Sequence, residues 1–305
     1  MWKRILLFLL TNIAIIAVLS ITFSILSSVF GVQYASVFTG SNFIPVLTFA
    51  AVIWFAWSFI SLLLSKFMAK WSYGVKIITS QELSSLNAKQ KLVYDIVERI
   101  ASQSNIKMPE VGIYESSEPN AFATGATKNS SLVAVSTGLL DYMNEAEIEW
   151  VIAHEMAHIL NGDMVTMTLM QWVINTFVIF ISRILASFIE KAILKSEESG
   201  TWVYYVVTIV LEILIWFLAS MLVMWFSRYR EFRADEGSAR LVWKEKMIAA
   251  LKSLQRLQSQ MITDDSDKLA TMKIGSKKRK WIFALLSSHP DLEDRIQNLE
   301  NSLSF

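Results

Sequence analysis

Between Arg4 and Lys66 the chain carries no Asp, Glu, Lys, Arg or His. So long an interval without a charged side chain does not make the surface of a water-soluble domain, where charged residues predominate. Within it lie two apolar stretches, Ile5–Phe30 and Phe43–Leu64, each long enough as a helix to cross roughly 30 Å of hydrocarbon. The short uncharged segment Gly31–Ser41 joins them, so they read as an antiparallel pair. The first stretch is too long for the apolar region of a signal peptide and lacks an A-x-A cleavage pattern. Lys3 and Arg4 precede the pair and Lys66, Lys70 and Lys76 follow it, which places both flanks in the cytoplasm by the positive-inside rule.

A second apolar pair, Met164–Phe188 and Trp202–Phe226, is joined by the mixed-charge turn IEKAILKSEESG. It contains Arg183 and Glu212, and an ionisable side chain at membrane depth is unfavourable unless paired or wetted. At about 1.5 Å per residue, Arg183 stands roughly 28 Å along one helix and Glu212 roughly 24 Å back from Arg228 along the other. The matched depths predict that the two pair. Four membrane helices agree with a 305-residue chain that is 53% hydrophobic and has a mean hydropathy of +0.42. The expected architecture is an α-helical integral membrane protein with four transmembrane helices and a cytoplasmic, mainly helical α+β domain. Its parts are an N-terminal hairpin (1–70), a first polar block (71–163), a second hairpin (164–226) and a second polar block (227–305), the two blocks folding as one unit. A net charge of +1 and the lack of an aromatic-interleaved basic stretch speak against nucleic acid as a partner. There is no G-x-x-x-x-G-K-[ST] loop, so no nucleotide is expected either. Without cysteine, any metal must be held by nitrogen and oxygen ligands.

The stretch VIAHEMAHILNGD, Val151 to Asp163, holds two of the three histidines in the chain. The surrounding residues read as a helix, with Asn144 as its N-cap, Glu147 at the reciprocal capping position and Gly162 as its C-terminal stop. His154 and His158 then share one face and can converge on a single ion. Glu155 reaches the open coordination position, the arrangement in which zinc lowers the pKa of a water and a carboxylate takes its proton. A catalytic site of this kind needs a third protein ligand. The H-E-x-x-H-x-x-G-x-x-H pattern is excluded, because Asn161 and Met164 stand where its glycine and last histidine would be. The next polar segment, SRYREFRADEGSARL, offers Glu231 and Asp235 four residues apart. Glu231 is the expected third ligand, and Asp235 a carboxylate that orients an imidazole.

HEMAH, EFRAD, PNAFATG and the late SSHPDLEDRI, with a membrane hairpin between the first two, resemble the HtpX-type membrane zinc metalloproteases. These belong to the gluzincins, which also include the CAAX prenyl proteases. The resemblance runs over nearly the whole chain. It implies a zincin-type metalloprotease domain, one Zn2+ per chain, and a bacterial inner-membrane endopeptidase. By the same resemblance the active site faces the cytoplasm, like both termini, and acts in quality control of membrane proteins. It also implies that Asn120 lies on or beside an edge strand lining the substrate cleft.

A protease must hold an extended peptide, and adding it to a sheet edge is the usual route. EVGIYES and SSLVAVST read as strands, the second alternating Leu132, Ala134 and Ser136 against Val133 and Val135. PNAFATG, between them, is read as turn residues and backbone donors near the cleft, so Asn120, Ala121, Phe122 and Ala123 are candidates for substrate binding. Asn120 and His289 are candidate oxyanion donors; Arg295 is expected to anchor the C-terminal helix. The basic run KKRKWIF, Lys277 to Phe283, suits an anionic leaflet. The expected partners are membrane-protein or unfolded polypeptide substrates and the lipid bilayer. The alternatives are a membrane scaffold or holdase with a structural metal, and a peptidase of the CAAX-prenyl type. Glu155 argues against the scaffold, since a structural site needs no general base.

Overall fold

The computed structural model describes residues 43–190, 202–252 and 290–301, with Ser28 and Gln255. The first expected span (apart from Ser28), the turn 191–201, the basic run 277–283 and His289 lie outside the described residues. Along the chain the described residues form α1 (Phe43–Tyr73), β1 (Lys76–Ile77), α2 (Ala88–Gln103), β2 (Glu110–Tyr114), β3 (Ala121–Thr127), β4 (Ser130–Ser136), α3 (Thr137–Tyr142), α4 (Glu145–Asn161), α5 (Asp163–Phe188), α6 (Trp202–Val242) and α7 (Leu292–Asn301). They group into two compact units, one drawn from 1–61 and 168–223 and the other from 62–167 and 224–305.

The first unit is apolar outside as well as inside. Among the described residues three helices, α1, α5 and α6, are long and apolar enough to cross a membrane. Large apolar side chains such as Phe59 on α1, Phe177 on α5 and Ile213 and Trp216 on α6 are exposed, the pattern of helices that face lipid rather than water. Polar groups find partners inside the unit: the Trp172 indole donates to the Ala51 carbonyl at 2.7 Å. Arg183 Nε comes within 3.8 Å of Glu212 Oε1, as their matched depths imply. The second helix of this pair does not stop at the apolar boundary. α6 runs 41 residues without a break, about 60 Å, because its polar part from Ser227 to Val242 has no proline and is rich in good helix formers such as Arg, Glu and Ala. EFRAD is therefore the continuation of a membrane-capable helix and not a separate segment.

The second unit is built on a four-stranded sheet in the order β1-β2-β4-β3. β1 pairs antiparallel with β2, β2 parallel with β4, and β3 antiparallel with β4. The expected strands at EVGIY and SSLVAVS form as β2 and β4. β4 is central and buried on both faces: Val133 and Val135 join the main core, while Leu132 and Ala134 pack with Tyr114 and Phe122 on the other side. PNAFATG, read from its residues as a turn, enters a seven-residue strand from Ala121 onward, β3, at the sheet edge, where the family resemblance implied an edge strand. Buried Ser136 holds the approach to it, accepting from Asn120 N at 2.9 Å and donating to the Glu118 carbonyl at 2.8 Å.

Under the inner face of the sheet lies α4. Asn144 and Glu147 form the reciprocal capping box at its start, at 3.0 and 2.9 Å. Gly162 ends it in the left-handed conformation at φ +71°, which a residue with a Cβ adopts only with strain. Ile148, Ile152, Met156 and Ile159 pack with Val93, Val97 and Ile100 of α2 in the core. Full burial of each such side chain contributes about 1.5–3 kcal/mol. The helix that carries the two histidines is thus held in the core of this unit. At the other edge, Lys66 Nζ holds Glu110 Oε1 at 2.8 Å and Lys70 grips the same carboxylate.

Candidate metal centre

One helical turn separates His154 from His158, and burial on all sides of α4 leaves both imidazoles little freedom. Glu231, from the polar part of α6, comes between them. The ligand atoms of His154, His158 and Glu231 form a buried group. The two Nε2 atoms are 3.2 Å apart, and the Glu231 oxygens lie 3.5 Å from that of His154 and 3.4 Å from that of His158. A tetrahedral zinc with bonds of about 2.0–2.1 Å spaces its ligand atoms about 3.3 Å apart. The approach of the two helices depends on Gly237, where an added Cβ would stand 3.1 Å from the Ala157 Cβ.

The opposite ring nitrogens explain why these three atoms meet. His154 Nδ1 lies 3.0 Å from Asp235 Oδ1, and His158 Nδ1 lies 2.6 Å from Asp163 Oδ2. Ionised carboxylates only accept, so each Nδ1 carries the hydrogen and each neutral ring turns a lone pair on Nε2 toward Glu231. Two lone pairs and a carboxylate converge in a buried space, an arrangement that only positive charge between them stabilises. In the protein alone that charge is protons. Burial pushes His158 down, but Asp163 and Glu231 outweigh it and hold its pKa up to about 9. His154 is likewise raised: burial opposes the charge, and hydrogen bonds to Asp235 and Glu231 prevail. A divalent metal supplies the same charge with better geometry, so the donor set fits a metal ion.

Asp235 is held in turn. Arg295 on α7 grips it with two parallel bonds, Nε to Oδ2 at 2.7 Å and Nη2 to Oδ1 at 2.5 Å. The same guanidinium lies 6.0 Å from the Trp150 ring centroid, within cation–π range. Burial raises the Asp235 carboxyl, but Arg295 and His154 more than offset this and hold it below the usual range. Arg295 thus anchors the C-terminal helix, as expected, and does so through the carboxylate that orients His154.

A cavity of about 260 Å³ opens beside the group, lined by Glu155, Arg230, Met164 and the β3 residues Ala121, Phe122 and Ala123 together with His154, His158, Glu231 and Asp163. The structure therefore brings together His154, Glu155, His158, Glu231, Asp235, Ala121, Phe122 and Ala123. Asn120 is exposed immediately before β3 and does not line this cavity. Two residues escaped sequence reasoning. Asp163 had a local signal: a carboxylate directly after the helix stop and directly before an apolar span must be paired if buried. Arg230, one residue from Glu231, had none.

Residues 87–303 match the family described as Peptidase family M48. The chain is 50% identical to Protease HtpX of Hydrogenovibrio crunogenus, over 97% of this chain and 96% of that one. It is 47% identical to the Protease HtpX homolog of Bacillus subtilis, over 98% and 99%. The crystal structure of S. mikatae Ste24p shares the fold with a TM-score of 0.59 at 17% identity, over 91% of this chain and 64% of that one. Identity of this order over nearly the full length, added to the family match, leads to one conclusion: the chain belongs to peptidase family M48, as a membrane metalloprotease.

Proposed function

We propose that the protein is a zinc endopeptidase that cleaves membrane-protein or unfolded polypeptides at the cytoplasmic face of a bacterial inner membrane, in a quality-control role. The observation that carries the reading is the single cavity shared by the buried His154, His158 and Glu231 group, Glu155 and the edge strand β3. A His2Glu donor set favours zinc over harder divalent ions. Held there, the ion would supply Lewis acidity and a water of lowered pKa.

Glu155 does the proton work. It takes the proton of the attacking water as the new C–O bond forms, then delivers it to the amide nitrogen as the C–N bond breaks. Asp163 and Asp235 keep the two imidazoles in the tautomer that leaves Nε2 free. The open edge of β3 offers backbone donors and acceptors to an extended chain, which selects segments that are unfolded or lack secondary structure. Lys66 and Lys70 near the C-terminal end of α1 and Lys76 beyond it support the cytoplasmic side, and the stretch Ile5–Phe30 supplies the fourth span in this reading.

The test compares wild type with Glu155→Gln, both purified in detergent, for bound zinc by elemental analysis and for cleavage of casein. The reading expects about one zinc in each and cleavage by the wild type alone. Zinc in both with cleavage by neither points to a structural metal in a scaffold or holdase.

A further inference from the structure

The mechanism above needs a donor for the negative charge that develops on the scissile carbonyl oxygen. Asn120 does not line the cavity, whereas Arg230 does. Among the described residues lining the cavity, Arg230 is the side chain with a permanent positive charge. Its Nη2 donates to Glu231 Oε1 at a long 3.3 Å, and its Nε is shielded from solvent without an acceptor.

This placement is unfavourable in the resting protein for two reasons. A buried donor without an acceptor loses the hydrogen bond that water would have given it. A fixed guanidinium beside a group suited to a divalent cation repels that cation, with only the Glu231 carboxylate between them. The buried ion pair that supports the centre, Arg295 with Asp235, is complete without Arg230. Both penalties reverse once an anionic oxygen forms in the cavity, because the guanidinium then faces charge it attracts and gains an acceptor. Its position on a continuous helix, one residue from a ligating carboxylate, keeps that donor preorganised.

We infer that Arg230 is a catalytic residue of this peptidase, donating to the scissile carbonyl oxygen as it becomes an oxyanion. The inference rests on the endopeptidase reading above. It concerns the electrostatics of the bond-breaking step, not the holding of the metal.

The experiment uses the full-length, zinc-loaded protein in detergent as wild type, Arg230→Met and Arg230→Lys. Zinc content, thermal melting, kcat and KM on a fluorogenic peptide, and affinity for a phosphinic peptide that mimics the tetrahedral anion are measured for each. Arg230→Met is expected to keep its zinc and melting temperature, hold KM within about threefold and lose kcat by about 10²–10³-fold. The phosphinic peptide should weaken in parallel, and Arg230→Lys should recover part of both losses. Loss of zinc would make Arg230 a positioning residue for Glu231 and overturn the inference. A loss confined to KM would make it a ground-state binding group and overturn the inference equally, as would unchanged kcat. A wild type that retains zinc but cleaves nothing indicts the endopeptidase reading instead.

Discussion

Replacing Asp163 by asparagine removes a charge and little else. The carboxylate sits 2.6 Å from His158 Nδ1, and both residues are buried, so water cannot take over its role. An asparagine oxygen still accepts from Nδ1–H, so the ring keeps its tautomer, but the bond is no longer charge-assisted. Hydrogen bonds to charged groups contribute about 1.5–3 kcal/mol against about 0.5–1.5 for neutral ones. The difference of roughly 1–1.5 kcal/mol corresponds to about tenfold in zinc affinity. Asp163→Ala loses the whole bond and leaves Nδ1–H buried without an acceptor, so about 100-fold is expected, at the upper end for such partners. The assay is zinc competition against a chromophoric chelator, with melting curves of the metal-loaded proteins to exclude gross unfolding. Affinity unchanged within threefold in both variants, or a larger loss in the asparagine variant than in the alanine variant, would refute the idea that this carboxylate tunes the ligand.

Two further outcomes are expected. With its folded pKa raised to about 9 from about 6.5 unfolded, His158 stabilises the metal-free protein fully below pH 6.5 and loses that contribution as pH rises through 9. Melting temperatures of chelator-treated protein should therefore fall across that window, and zinc binding near pH 7.5 should release protons, read as a buffer-dependent calorimetric enthalpy. Arg295→Gln leaves the buried Asp235 carboxylate with His154 alone and should destabilise by about 3–5 kcal/mol. In chemical denaturation the Asp235→Asn/Arg295→Gln double variant should lose less than the sum of the singles, since neither partner is then left as an isolated charge.

What could be read from the sequence was what local rules determine. The caps, length and histidine spacing of α4 depend on residues within a few turns of one another, and β2 and β4 are rich in β-branched residues. Glu231 and Asp235 were legible as an i, i+4 pair of carboxylates, and Arg183 with Glu212 through their depths along two apolar stretches. β3 was implied by the family resemblance but could not be read from its own residues, for a tertiary reason: Ala and Gly, four of its seven residues, have poor strand propensity, and Ala121–Thr127 is extended because β4 offers it a ladder. The grip of Arg295 on Asp235 spans 60 residues of sequence and has no local signature. Arg230 has no local signature either, because nothing in its neighbours says that its side chain lines the cavity.

The dependence of His154 on Arg295 through Asp235 also sets an order in time. The two residues are 141 positions apart, so at about 5–20 residues per second a ribosome needs roughly 7–28 s to go from one to the other. By then it has already made α5 and the apolar part of α6, which lie between them. A chain still being translated carries the H-E-x-x-H helix without Glu231, and then Glu231 without the arginine that steadies its neighbour. Under the proposed mechanism, the site is therefore completed only after the membrane-capable helices of the same chain have been synthesised.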